Sequence, residues 1–216
     1  MTPPLQLDPF YLILDDADWI ERLVPLGVRL VQLRAKGMQE SRLRLEIRRS
    51  LTVCRAHGCA LVVNDHWRLA IEEGADIVHL GQEDLAAADV GAIRRADLRL
   101  GVSTHDRREL EMALRVEPDY VALGPIWPTI LKAMPWAPQT PERLREWRTR
   151  IGDLPLVAIG GLNPDERLRA VLENGADSAA VVTDITRNPD PEARTREWIR
   201  ATAAQRVRPE EELRTM

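Results

Sequence analysis

The chain has 216 residues, a formal net charge of −4 and 44% hydrophobic residues, enough to bury the core of one ordinary domain. The near-neutral balance lacks the positive excess of a phosphate-backbone binder, so no nucleic-acid partner is expected. No apolar run approaches the ~20 residues of a spanning helix, and the opening Met1-Thr2-Pro3-Pro4-Leu5 lacks the basic-then-apolar pattern of a secretory signal. A cytoplasmic protein with no membrane partner is therefore expected. Its two cysteines, Cys54 and Cys59, come without paired Cys/His spacing, so they read as reduced, structural thiols rather than a zinc site.

Short apolar runs recur along the chain, each followed by a helical stretch. They cover residues 10–14, 28–33, 60–63, 77–80, 98–102, 120–123, 156–159 and 178–182. Periodic polar/apolar segments such as 40–56 and 166–172 lie between them. This alternation predicts a parallel sheet buried on both faces. Eight such units predict an α/β fold, a single (β/α)8 TIM barrel spanning residues 1–205. A charged tail over 206–216 is expected to fray.

Punctuation supports these elements. Gly74-Ala75-Asp76, Glu117-Pro118-Asp119 and Gly175-Ala176-Asp177 precede the fourth, sixth and eighth runs and read as helix stops. Asn163-Pro164-Asp165-Glu166 and Thr140-Pro141 read as helix starts. The longest non-periodic segment, 125–140, holds Pro125, Pro128, Pro135 and Pro138. A loop of that length in a compact barrel reads as a functional lid.

Barrel active sites lie at the C-terminal ends of the strands, so the residues just after each apolar run carry the chemistry. After the second run, alternation sends Gln32, Arg34 and Lys36 to one side, a plausible grip on a diphosphate; the bland alternative is a solvated basic strand end. Asn64 and Asp65 follow the third run, and Asp84 follows the fourth. The two aspartates suit magnesium, which takes one or two carboxylates beside substrate phosphates. Either could instead cap the next helix. After the fifth run, Ser103 suits a phosphate oxygen, Thr104 a helix cap and His105 either acid/base work or a helix start. Thr129 and Lys132 lie on the predicted lid. Gly160-Gly161 and Val182-Thr183-Asp184 follow the last two runs, the frequent phosphate site of such barrels. No Ser/His/Asp or Cys/His nucleophile pattern occurs, so acyl transfer is not expected.

The strings VQLRAKG (31–37), VVND (62–65), VHLGQED (78–84), GVSTH (101–105), GPIWPT (124–129), AIGG (158–161) and AVV (180–182), in this order, resemble the thiamine phosphate synthase (thiamine-phosphate diphosphorylase) family. The resemblance runs from Tyr11 to about Pro191. It implies a transferase that joins an aminopyrimidine methyl diphosphate to a thiazole ethyl phosphate, giving thiamine phosphate and diphosphate through a dissociative, pyrimidine-cation-like step. It implies that Gln32, Arg34, Lys36, Asn64, Ser103 and Lys132 hold the pyrimidine diphosphate, with Arg34, Lys36, Ser103 and Lys132 acting in catalysis. Asp65 and Asp84 would ligate one Mg2+ per site. Thr129, Gly161, Val182 and Thr183 would cradle the thiazole phosphate. Three residues depart from the family: Leu131 replaces a frequent hydroxyl, Asp184 a small apolar residue near the phosphate, and Thr140 a frequent glycine. Arg187 is the expected counter-charge to Asp184. Three other readings are a thiazole tautomerase-like barrel, which needs no metal–diphosphate grip, a non-catalytic paralogue that binds thiamine phosphates, and a plain phosphate-binding barrel acting on another sugar or indole phosphate. A homo-oligomer stays open.

Overall fold

In the computed structural model, which describes residues 5–128 and 137–207, every strand is covered on both faces, and that is why its sequence is almost unbroken in apolar residues. The strands are β1 (Phe10–Leu14), β2 (Leu30–Leu33), β3 (Ala60–Asn64), β4 (Ile77–Leu80), β5 (Arg99–Thr104), β6 (Tyr120–Leu123), β7 (Leu156–Ile159) and β8 (Ser178–Val181). Each pairs in parallel with the next and β8 returns to β1, closing the barrel. The helices α1 (Ala17–Leu23), α2 (Glu40–Ala56), α3 (Trp67–Glu72), α4 (Gln82–Ala87), α5 (Val90–Arg95), α6 (Arg107–Leu114), α7 (Glu142–Ile151), α8 (Glu166–Glu173), α9 (Thr183–Thr186) and α10 (Pro191–Thr202) connect them. No helix among the described residues is long and apolar enough to cross a membrane. The second strand starts at Leu30 rather than residue 28, because a 3-10 turn over Val24–Leu26 ends at left-handed Gly27.

Alternation sorts the apolar residues into two layers. Phe10, Leu12 and Leu14 face outward and pack beneath the helices, with Phe10 stacked on the buried Trp198 of α10 at 5.5 Å. Tyr11 and Ile13 face the lumen, where they meet Leu30, Val62, Ile77 and Tyr120.

The aspartate that ends each helix-stop tripeptide before β6 and β8 has a physical use. Asp119, just before β6, donates its N–H to the Leu100 carbonyl (2.7 Å) and accepts the Leu100 N–H on Oδ2 (2.8 Å). Asp177, just before β8, makes the same double clamp on Leu156 at 2.8 and 2.7 Å. The carboxylate thus satisfies an N–H at the bottom of the preceding strand, which would otherwise be left at the barrel rim. The stop residues before the strands, Gly74, Glu117 and Gly175, all take left-handed backbone (φ 70, 50 and 97°), as a helix end of this kind requires.

Two predicted caps are corrected. Thr104 does not cap α6: Asp106 does, accepting the Glu109 N–H at 2.8 Å. The Thr104 hydroxyl instead donates to the Ala122 carbonyl and accepts from the indole of Trp147, both at 2.8 Å, so it serves as a buried strut between β5, β6 and α7. Thr140 makes no cap bond to the α7 backbone, which begins at Glu142; its hydroxyl bonds the Glu142 carboxylate and lowers that pKa. Of the predicted lid, residues 129–136 lie outside the described residues, while its two ends are tied together: Gln139 and Thr140 donate their N–H groups to the carbonyls of Pro125 (2.7 Å) and Ile126 (3.2 Å).

Thr140 sits there at φ 62°, a conformation that is strained for a β-branched residue. Thr140→Gly is expected to relieve that strain and stabilise the fold by about 1 kcal/mol. Denaturant unfolding checks this; a less stable variant would mean that the Thr140–Glu142 contact outweighs the strain.

Candidate active site

A cavity of about 740 Å³ opens at the C-terminal ends of the strands. Every predicted site residue within the described segments lines it: Gln32, Arg34, Lys36, Asn64, Asp65, Asp84, Ser103, Gly161, Val182 and Thr183. Thr129 and Lys132, and the departing Leu131, lie outside the described residues.

The β2 exit follows its strand register. The Arg34 N–H donates to the Leu14 carbonyl at 2.7 Å, which extends the β1–β2 ladder past the strand end. Ala35 stays buried and faces away, so Gln32, Arg34 and Lys36 all reach the mouth.

Beside them, at the ends of the next two strands, Asp65 and Asp84 come together. Asp65 has left-handed backbone (φ 62°) and donates its N–H to the His79 carbonyl at 2.9 Å. It does not cap α3, whose start has no side-chain cap bond. Asp84 lies inside the first turn of α4, after Gly81. Burial raises the Asp65 pKa first, then the charge of Asp84 and a hydrogen bond with it, against the lowering pull of Lys36 and Arg34. Lys36 Nζ stands 3.7 Å from Asp65 Oδ2. Two carboxylates pressed together in a partly desolvated mouth call for a cation, and Lys36 alone only partly answers them. Among the described residues no group of three or more His, Cys, Asp or Glu could hold a metal; the set is two carboxylates and no more.

Beneath these residues lies a buried polar chain to which the strand-end pattern assigns no role. Tyr11, His79 and Tyr120 project into the lumen from β1, β4 and β6 and link Gln32 to Ser103. Burial holds both phenols above their usual pKa. It also pulls His79 down to about 4, with the Arg34 charge adding to the effect, so the imidazole is neutral. Their inward positions in apolar strands, with polar tips, were the available signal. Gln82 was also missed: its Nε2 donates to the Ser103 carbonyl at 2.6 Å and fixes the end of β5. His105 is engaged rather than free, with Nδ1 and its backbone N–H each 2.7 Å from Glu109 Oε2.

On the far rim, Gly160 and Gly161 have φ 107 and 67°. A Cβ at Gly160 would sit 2.7 Å from Pro125 Cα, and one at Gly161 2.9 Å from the Pro128 carbonyl. Only glycine lets the β6 loop cross there while leaving backbone open to the cavity. Asp184 also lies on this rim, and its expected counter-charge is corrected. Arg194, not Arg187, grips it through Nε and Nη2 at 2.8 and 2.9 Å, and Trp198 Nε1 donates to it at 2.7 Å.

Known proteins match this chain over most of its length. The family described as Thiamine monophosphate synthase matches residues 10–185. A thiamine-phosphate synthase of Rhizobium etli is 69% identical over 199 residues, covering 92% of this chain and 97% of the relative. One from Neisseria meningitidis serogroup A is 48% identical over 184 residues, covering 85% and 89%. The solved thiamine phosphate pyrophosphorylase of Pyrococcus furiosus has the same fold, with a TM-score of 0.78 over 92% of this chain and 96% of its own at 24% identity. The chain therefore belongs to the thiamine monophosphate synthase family, transferases that make thiamine phosphate.

Proposed function

We propose that the chain joins 4-amino-2-methyl-5-pyrimidinylmethyl diphosphate to 4-methyl-5-(2-phosphoethyl)thiazole, releasing diphosphate and thiamine phosphate. One observation supports this above all: Arg34 and Lys36 stand beside the Asp65–Asp84 pair on one wall of a single cavity, with a glycine-backed rim on the opposite side. That arrangement suits one diphosphate and one monophosphate in the same space.

The donor set fits magnesium. Its two oxygen carboxylates, adjacent and mutually repelling, leave further positions for substrate phosphate oxygens and water. Asp65 and Asp84 would hold the ion, which would neutralise charge that develops on the departing diphosphate. Arg34 grips the same group as a planar fork and Lys36 as a point charge. Asn64, Ser103 and Lys132 add hydrogen bonds. Carbon–oxygen cleavage would send the bonding pair out with the diphosphate and leave a methylene cation, stabilised by the electron-rich aminopyrimidine ring, for the thiazole nitrogen to attack. Here the protein positions two partners and keeps water away, which the apolar lumen beneath the mouth favours. Thr129, Gly161, Val182 and Thr183 receive the thiazole phosphate. The setting is cytoplasmic, where reduced Cys54 and Cys59 are stable.

Asp184 does not spoil that phosphate end, because its charge is already spent on Arg194 and Trp198. Asp184→Ala is expected to leave thiazole phosphate binding no tighter by calorimetry, and to cost about 1–3 kcal/mol of stability by unpairing those donors. Tighter binding would show the carboxylate repels the ligand after all.

With both substrates and Mg2+, purified protein is expected to release diphosphate, and EDTA to stop it. Asp84→Ala and Lys36→Ala should each slow turnover at least ~100-fold. Unchanged rates in both variants would remove this site assignment.

A raised carboxyl pKa penalises the fold at pH above that value, and the penalty fades as the pH falls. Asp84 contributes to the raised pKa of Asp65. In EDTA at neutral pH, Asp84→Asn should therefore melt at a higher temperature than the parent, yet gain nothing from added Mg2+. A lower melting temperature in EDTA would argue that the pair is not repulsive.

A further inference from the structure

Five side chains from five strands form one hydrogen-bonded chain across the mouth. Gln32 Nε2 donates to Tyr11 Oη at 2.7 Å, and the Tyr11 and Tyr120 hydroxyls are 3.1 Å apart. Tyr120 Oη lies 2.8 Å from His79 Nδ1, and His79 Nε2 lies 2.8 Å from Ser103 Oγ. Tyr11 and Tyr120 are 1% and 0% exposed, Gln32 2% and His79 6%, so no interior link can trade its partner for bulk water.

The proton order along the chain follows from the donors. An amide N–H can only donate, so Tyr11 Oη accepts from Gln32 and passes its own proton to its other partner, Tyr120. Tyr120 must then donate to His79 Nδ1. A buried imidazole with no carboxylate among its hydrogen-bond partners is neutral and carries one N–H. That N–H sits on Nε2 and points at Ser103 Oγ. Ser103 receives this bond on a lone pair, which leaves its own proton for the cavity.

We propose that Tyr120 and His79 are positioning residues that hold the Ser103 hydroxyl as an outward hydrogen-bond donor. The oxyanion it would meet, on the diphosphate, rests on the function proposed above; the proton order does not. The opposite order would require the Gln32 amide turned over, Nδ1 protonated and Ser103 spending its proton on His79. Ser103 would then present only lone pairs to an anion, which repel it. The seat for Tyr120 is built into β5: a Cβ at Gly101 would fall 2.0 Å from Tyr120 Cζ and 2.4 Å from its hydroxyl oxygen. The glycine of GVSTH thus makes room for the phenol that orders the chain.

The direct test is the tautomer of His79 in ¹⁵N-labelled, substrate-free protein. Its ring nitrogens are assigned by their loss in His79→Asn, among the four histidines of the chain. Nε2 is expected to resonate as the protonated nitrogen and Nδ1 as the unprotonated one. A protonated Nδ1, or a mixture of both forms, overturns the proposal, whatever the protein does with the proposed substrates. A second arm uses turnover. Tyr120→Phe should slow the enzyme about tenfold, but change the rate less than about twofold in a Ser103→Ala background, because the two act through one hydroxyl. Equal slowing in both backgrounds would show that Tyr120 acts apart from Ser103. If the proposed substrates are not turned over at all, the function fails while the tautomer still decides the proton order.

Discussion

Strand alternation in a closed barrel is the constraint from which the site follows. Each strand must send every second side chain into a lumen that side chains fill. Lower in the barrel those inward positions carry Ile13, Leu30, Val62 and Ile77. Two residues later along β2, β3 and β4, the same register presents Gln32, Asn64 and His79, and β5 presents Ser103 beside them. No separate scaffold positions the polar mouth. It is the continuation of the apolar core by polar residues where the barrel opens, and the lumen below makes it dry enough for charge to matter.

That dryness is costly for Asp65 and Asp84. They lie in an environment that raises a carboxyl pKa, close enough to each other to raise it further, with one lysine 3.7 Å away as partial relief. A core built only for stability would not keep such a pair. Sites that trade stability for function do. The proposed cation and diphosphate would complete a charge balance that the protein alone leaves open. The contrast is Asp184, whose carboxylate is fully matched by Arg194 and Trp198. All three carboxylates line the mouth; only the partners differ. The pair has the surroundings of a ligand and Asp184 those of a structural tie.

How much of this could be read from the chain depends on how local its cause was. The eight strands, the side on which Gln32, Arg34 and Lys36 emerge, and the meeting of Asp65 with Asp84 follow from period two and strand order, so they were legible. Tyr11 and Tyr120 meet across 109 positions of sequence, and neither has a local mark beyond a hydroxyl in an apolar strand. Thr104 looks like a cap because threonines often are. Its true partners, Ala122 and Trp147, lie on elements that the local pattern cannot bring together. Asp184 invited a search for the nearest cation, Arg187. The helix turn that follows instead carries Arg194 and Trp198 back over it. Caps and ion pairs were misread where tertiary packing outweighed sequence proximity.

The two functional halves of the mouth are mechanically one. The Asp65 N–H bonds the carbonyl of His79, while the His79 ring supports Ser103. Gln82, two residues before Asp84, holds the Ser103 carbonyl in turn. β4 and the start of α4 therefore carry the carboxylate wall on one side and the hydroxyl wall on the other. A shift of β4 would move the carboxylate pair and the Ser103 donor together, so their spacing is preserved even if the barrel breathes. The proposed grip on both ends of one diphosphate would gain most from that coupling, because a misplacement of about 1 Å can forfeit ~100-fold in rate. Tying both walls to the β4–α4 segment between them, rather than leaving them on two independent loops, restrains the motion that would cause such a misplacement.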